Sequence, residues 1–175
     1  MSYTDTLNKI KARKKPQDIF YTPDKIAKYI IEYFKPYGKI LEPCKGNGSF
    51  LKYLPQNTDW CEIEEGKDFF NYNKKVDWII TNPPYSIFGE FMKHSFDISK
   101  NVVFLIPVDK PFYGKRIRMI NDYGGIKKIL FFGGQGHDMN FPFGFPLAAF
   151  LFSKDYKGVA ISEMVITKDI MKNFS

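Results

Sequence analysis

An apolar run, Val76-Asp77-Trp78-Ile79-Ile80-Thr81, breaks off into Asn82-Pro83-Pro84-Tyr85, and no other junction in the chain restricts its fold as strongly. Four apolar residues among these six, three of them consecutive, predict a buried strand, as in a parallel sheet covered by helices. Two consecutive prolines remove two backbone donors and fix φ, so the strand must end there in a stiff turn. Elsewhere short apolar runs alternate with stretches at helical spacing. Strands are expected over 39–42, 59–63, 76–81, 102–107, 126–132 and 147–153. The first helix is expected to start at Thr22-Pro23-Asp24, with Thr22 as its cap and Pro23 as its first residue, and to end at Pro36 and Gly38. Further helices are expected near 49–54, 88–96 and 115–121. This order predicts an α/β fold with a doubly wound, mostly parallel sheet whose last two strands form an antiparallel hairpin. The tail over 158–175 reads equally as strand or helix. A chain of 175 residues has room for one domain, expected over 19–175 behind a basic arm over 1–18.

Hydrophobic residues are 44% and charged residues 26%, an ordinary globular balance that excludes wholesale disorder. The longest uncharged apolar runs fall short of the ~18–20 residues of a membrane span, and the N-terminus does not read as a signal peptide. A cytoplasmic protein without a membrane partner is expected. Cys44 and Cys61 have no nearby Cys or His at ligand spacing, so no metal site is expected. Neither His94 nor His137 sits in a nucleophilic-triad pattern. Lys and Arg number 26 against 19 Asp and Glu, and this net charge of +7 favours a polyanionic partner. The stretch 109–118 interleaves Lys110, Lys115, Arg116 and Arg118 with Phe112 and Tyr113, a mixture suited to phosphates and unstacked bases. The arm residues Lys9, Lys11, Arg13, Lys14 and Lys15 are placed to hold a backbone without reading sequence.

The segment Leu41-Glu42-Pro43-Cys44-Lys45-Gly46-Asn47-Gly48-Ser49-Phe50 carries a strand into a Gly-x-Gly turn. In an α/β sheet this geometry places a cofactor over the C-terminal end of the first strand, with glycine letting the backbone approach it. The third glycine of a dinucleotide fingerprint and the Gly-Lys-Ser/Thr of a P-loop are both missing, which weighs against NAD and ATP. At the other junction the Asn82 side chain and the Pro83 carbonyl are acceptors aimed into the same cleft, with the Tyr85 ring beside them.

On these motifs the sequence resembles the S-adenosylmethionine-dependent amino-methyltransferases, most closely the DNA adenine N6-methyltransferases. Phe20-Tyr21-Thr22-Pro23 is similar to the family's N-terminal cofactor motif, Glu42-Pro43-Cys44-Lys45-Gly46-Asn47-Gly48-Ser49-Phe50 to its glycine loop, and Asn82-Pro83-Pro84-Tyr85 to its catalytic tetrapeptide. The likeness runs roughly from residue 20 to residue 153. It implies a class I methyltransferase fold and an S-adenosyl-L-methionine pocket that includes Tyr21, Thr22, Pro23, Glu42, Pro43, Gly46, Asn47, Gly48 and Phe50. It also implies that Glu62, followed by Ile63, binds the ribose hydroxyls, with Glu64 and Glu65 as rivals. Gly66-Lys67-Asp68-Phe69-Phe70 is similar to the family's adenine-binding segment, in which Asp68 would accept from the cofactor's exocyclic amine while Phe69 covers its ring. Asn82 and the Pro83 carbonyl would bind the two N–H groups of an adenine amine, Pro84 would stiffen the turn, and Tyr85 would stack on the base. Phe141 or Phe143, on the loop between the last two strands, would pack on a base taken out of its stack. Lys110, Lys115, Arg116 and Arg118 would hold nucleic acid.

Sequence-specific members of that family carry a sizeable target-recognition region, and this chain has only about 20 residues after the matching core. Low specificity, a specificity partner or a homodimer are the resulting expectations, with DNA favoured over RNA. Two other readings stand beside this one. A protein glutamine-amide N-methyltransferase also uses Asn-Pro-Pro-Tyr, and a silent cofactor-binding subunit would keep the fold without turnover.

Overall fold

The computed structural model describes residues 20–134, 136–139 and 144–173. The basic arm and both loop aromatics, Phe141 and Phe143, lie outside the described residues. Among the described residues seven strands form one sheet: β1 (Ile40–Glu42), β2 (Asp59–Trp60), β3 (Val76–Thr81), β4 (Ser99–Pro107), β5 (Gly124–Gly133), β6 (Leu147–Lys154) and β7 (Ile161–Ile166), in the order β2-β1-β3-β4-β6-β5-β7. All run parallel except β6, which pairs antiparallel with both β4 and β5. The expected hairpin of the last two predicted strands is therefore present. The ambiguous tail is both things in turn: β7, added parallel to β5, and then helix α4 (Thr167–Asn173).

Helix α1 (Asp24–Phe34) buries Ile26, Ala27, Ile30, Ile31 and Phe34, the stripe its spacing predicts. Pro23 occupies the cap position instead of the first helical one, and Thr22 makes no capping bond. Pro23 has no N–H to lose, and its carbonyl accepts from Ile26 and Ala27, so the helix starts without a side-chain cap. Lys25 Nζ reaches the carbonyl of Met171 in α4 at 2.8 Å. Helices α2 (Phe88–Ile98) and α3 (Gly114–Tyr123) cover the opposite face of the sheet. There Phe88 meets Phe104 edge-on at 5.4 Å, and Phe96 stacks on Tyr123 at 4.0 Å. Phe150 and Phe152 point to that face, whereas Lys128, paired with Leu151, lies 5.3 Å from the Tyr33 ring of α1.

One expected helix is missing. Residues 49–54 form a run of turns, because Pro55 bars Leu54 from the helical region and leaves too few residues to continue. Strand β2 is also shorter than expected. After Trp60 the chain turns into a 3₁₀ turn over Ile63–Glu65, whose Gly66 cap has φ of 76°.

Candidate active site

The C-terminal ends of β1 and β3 lie side by side, while β2 continues from the other edge of β1. The chain reverses its winding direction at this point, and such switch points open a crevice above the sheet. The crevice is a cavity of about 220 Å³. Its floor and walls come from Phe20 to Thr22 ahead of α1, the loop after β1, the acidic turn after β2 with Asp68 to Phe70, the tetrapeptide after β3 with Ser86 and Ile87, and Phe91 of α2.

The loop after β1 is pinned by short bonds. Cys61 N–H donates to the Glu42 carbonyl at 2.9 Å, Lys45 N–H to the Cys61 carbonyl at 3.0 Å, and Gly48 N–H to the Lys45 carbonyl at 2.8 Å. Gly46 has φ of 54°, and a Cβ there would sit 3.1 Å from the Tyr21 ring, so both backbone shape and space require glycine. Asn47 Oδ1 accepts from Ser49 N–H and Oγ, closing the turn. Glu62 fastens this loop to β2: its Oε2 accepts from Gly46 N–H at 2.8 Å and its Oε1 from Glu64 N–H at 3.3 Å. Glu65 pairs instead with Lys45. Asp68 caps the next 3₁₀ turn, Phe69–Asn71, by accepting from Phe70 N–H at 3.0 Å.

Glu42 lies beneath the loop and does not line the cavity. It is 1% exposed, its Oε1 accepts from Cys44 N–H at 3.2 Å, and the buried Thr81 side chain lies beside its carboxyl. Burial pushes its carboxyl up to about 8.

Asn82 is half-buried where β3 ends. Its Nδ2 donates to the Phe20 carbonyl at 2.9 Å, while its Oδ1 is buried and makes no hydrogen bond among the described residues. The amide is thus held by its donor end, and its acceptor end is left over. Pro83 is buried and Pro84 half-buried, and both line the cavity with Asn82. Tyr85 departs from the expected placement. Its ring is buried, does not line the cavity, and packs 6.2 Å from Phe20, so no face is open to a base in this arrangement. Burial raises its hydroxyl pKa.

Of the other expected cofactor residues, Tyr21, Thr22, Pro43, Gly46, Asn47 and Phe50 line the cavity, as do Glu62, Ile63, Asp68 and Phe69. Pro23 and Gly48 do not. Phe69 is largely spoken for, since it packs 4.5 Å from Phe91 and edge-on to His94 at 4.7 Å. Phe70, which ends the segment similar to the family's adenine-binding motif, also lines the cavity, as does Phe91 of α2, to which no sequence motif points. Among so many rings, nothing local marks Phe91 as one that the cavity will share. His94 is structural, with Nε2 3.0 Å from the Tyr72 carbonyl.

No protein-family model matches the sequence, and no curated protein matches it. Solved structures do match in shape. A protein of Listeria monocytogenes named as a class I S-adenosylmethionine-dependent methyltransferase superposes with a TM-score of 0.62 at 14% identity, over 95% of this chain and 71% of that one. The fold is that of the class I methyltransferases. A modification subunit named for a type I restriction enzyme of Vibrio vulnificus matches with a TM-score of 0.63 at 12% identity, over 93% of this chain. The present chain spans half the length of that subunit, 50%. A protein of Pyrococcus horikoshii named as an RNA methyltransferase matches with a TM-score of 0.54 at 14% identity, over 88% of this chain and 99% of its own.

A class I methyltransferase fold raises the question of whether this cavity suits S-adenosylmethionine. A close-approach glycine at Gly46, carboxylates at Glu62 and Asp68, and aromatic walls from Phe70 and Phe91 fit a cationic nucleoside. Among the described residues no helix is long and apolar enough to cross a membrane.

Proposed function

We propose that this chain is an S-adenosylmethionine-dependent methyltransferase acting on the exocyclic N6 amine of adenine in nucleic acid, DNA ahead of RNA. The observation that carries this reading is the state of Asn82, a residue that lines the cavity: its donor end is tied to the Phe20 carbonyl, and its acceptor end is buried without a hydrogen bond among the described residues. An adenine amine is a poor nucleophile because its nitrogen lone pair is shared with the ring. An acceptor that takes one N–H, with the Pro83 carbonyl taking the other, favours a pyramidal nitrogen whose lone pair is released. That interaction strengthens toward the transition state, which is the kind that raises turnover. An amide free to flip would present donors half the time, and the bond to the Phe20 carbonyl fixes Nδ2 as the tied end and Oδ1 as the remaining acceptor.

S-adenosylmethionine, when bound, supplies an electrophilic methyl group on its sulfonium. Asp68, Glu62, Tyr21 and the 46–48 turn are the residues that would hold it, with buried Glu42 bracing the turn from below. The rest of the rate would come from holding amine and methyl in line, worth up to roughly 7–11 kcal/mol in well-oriented cases. The proton lost from the methylated nitrogen passes to water, since neither a side-chain amide nor a peptide carbonyl is basic enough to keep it. A base that stacks on Tyr85 requires the Phe20 ring to withdraw first.

Calorimetry with S-adenosylmethionine tests the cofactor half of this reading. A single site is expected without added metal, and wild-type protein that binds neither S-adenosylmethionine nor S-adenosylhomocysteine would remove it. Transfer of labelled methyl to nucleic acid by the wild type, with Asn82→Ala inactive but still binding cofactor, tests the other half.

A further inference from the structure

The segment after β4 carries chemistry that amine activation leaves unused. A 3₁₀ turn over Lys110–Phe112 leads through Tyr113 into α3. Phe112 is 53% and Tyr113 55% exposed, although both are large rings beside the candidate site. Lys110 Nζ lies 6.0 Å from the centre of the Tyr85 ring. The rings are held in place. Phe112 meets Phe150 of β6 edge-on at 6.1 Å, and Tyr113 donates its hydroxyl to Asp109 at 2.8 Å. Arg116 lies 5.2 Å from the Tyr113 ring and 5.1 Å over Phe88, and its Nη1 donates to the Lys110 carbonyl at 2.8 Å. Lys110, Lys115, Arg116 and Arg118 outnumber Asp109 here, and the first turn of α3 carries no acid to offset the positive end of its dipole.

We propose that Phe112 and Tyr113 form a stacking platform for unpaired bases flanking the target, so that the substrate of this site is a single-stranded nucleic acid. The proposal rests on the reading of the chain as a nucleic-acid methyltransferase and narrows it. In a duplex each base shows the grooves only its edges, because its faces are already stacked. An exposed ring therefore gains a base contact only from a strand whose bases have come apart. Basic side chains interleaved with those rings match the phosphates such a strand brings along. A strand already unpaired also spares the site the cost of extracting the target base. An apolar protein surface is the other occupant that two exposed rings would suit, but the four cations around them argue for a polyanion.

The test is fluorescence anisotropy on the full chain with S-adenosylhomocysteine present. The probes are a labelled DNA strand of about 16 nucleotides, the RNA of the same sequence, and the DNA annealed to its complement. Single strands should bind more tightly than the duplex. Phe112→Leu, which keeps an apolar side chain against Phe150 but has no ring face, should weaken single-strand binding by roughly five- to hundredfold, the worth of one stacked base. Tyr113→Ala should do the same, Tyr113→Phe should bind as the wild type does, and duplex binding should not change in any of them. Thermal melts confirm that each variant is folded, and the DNA and RNA arms show which sugar is preferred. Equal affinity for duplex and single strand, or Phe112→Leu binding single strands like the wild type, overturns the platform while leaving nucleic-acid methylation standing. Binding to none of the three probes overturns both, with a protein surface then the better occupant.

Discussion

Glu42 should make the protein lose stability as pH rises, and Glu42→Gln should abolish that loss. The carboxyl is 1% exposed, and burial pushes its pKa from 4.5 up to about 8. The folded protein therefore keeps a proton that the unfolded chain releases once the pH passes 4.5. Stability from this group is complete below that value and disappears as pH climbs through about 8, where the carboxyl must ionise in its dry setting. At about 1.4 kcal/mol per unit, the loss between pH ~5 and pH ~9 comes to about 4 kcal/mol. With a urea dependence of about 2 kcal/mol per M, the unfolding midpoint of the wild type should fall by about 2 M relative to Glu42→Gln over that range. The assay is urea unfolding of both proteins without cofactor, at several pH values, followed by circular dichroism. Comparing the two cancels every group they share. Midpoints that move in parallel across the range would refute the reasoning and mean that Glu42 is ionised in the fold.

Asn82→Ala should leave S-adenosylmethionine affinity nearly intact while lowering turnover by about 10²–10³-fold, the usual cost of removing one group aimed at the transition state; titration calorimetry and initial rates separate the two. Gly46→Val should abolish cofactor binding, since its Cβ would press on Tyr21 at 3.1 Å with the backbone at φ of 54°, and calorimetry reads this directly. Tyr85→Ala should destabilise the protein by about 3–5 kcal/mol in denaturant unfolding, as loss of a buried aromatic does, whereas Tyr85→Phe should stay close to the wild type. Neutralising Lys115 and Arg118 should flatten the slope of log affinity against log salt by about 0.7–0.9 for each phosphate that is no longer paired with a cation, measured by anisotropy at stepped salt.

Legibility in the sequence tracked how local the cause was. Strand β3 was readable to the residue, because a doubly buried run and a Pro-Pro stop both lie within Val76 to Pro84. Helix α1 showed its buried stripe for the same reason, although its cap did not follow the usual pattern. The short helix expected over 49–54 failed on one residue, Pro55, whose effect reaches back onto Leu54. In the candidate site, the need for glycine at position 46 could be read from the motif, but the reason, the Tyr21 ring 25 residues away, could not. The same distance problem hid the burial of Tyr85 against Phe20, the tether from the Phe20 carbonyl to Asn82, and the place of Phe91 in the cavity wall. Each depends on segments that only the folded sheet brings together.

The work proposed for this cavity is delivery of a methyl group to an adenine amine. The most direct measurement incubates the protein with methyl-labelled S-adenosylmethionine and, separately, single-stranded DNA, duplex DNA, RNA and protein extract, then digests each and identifies the labelled product. N6-methyladenine is expected from a nucleic acid with the wild type and should be absent with Asn82→Ala. Label recovered as N-methylglutamine from protein, or no label in any substrate from a protein that demonstrably binds S-adenosylmethionine, would contradict it.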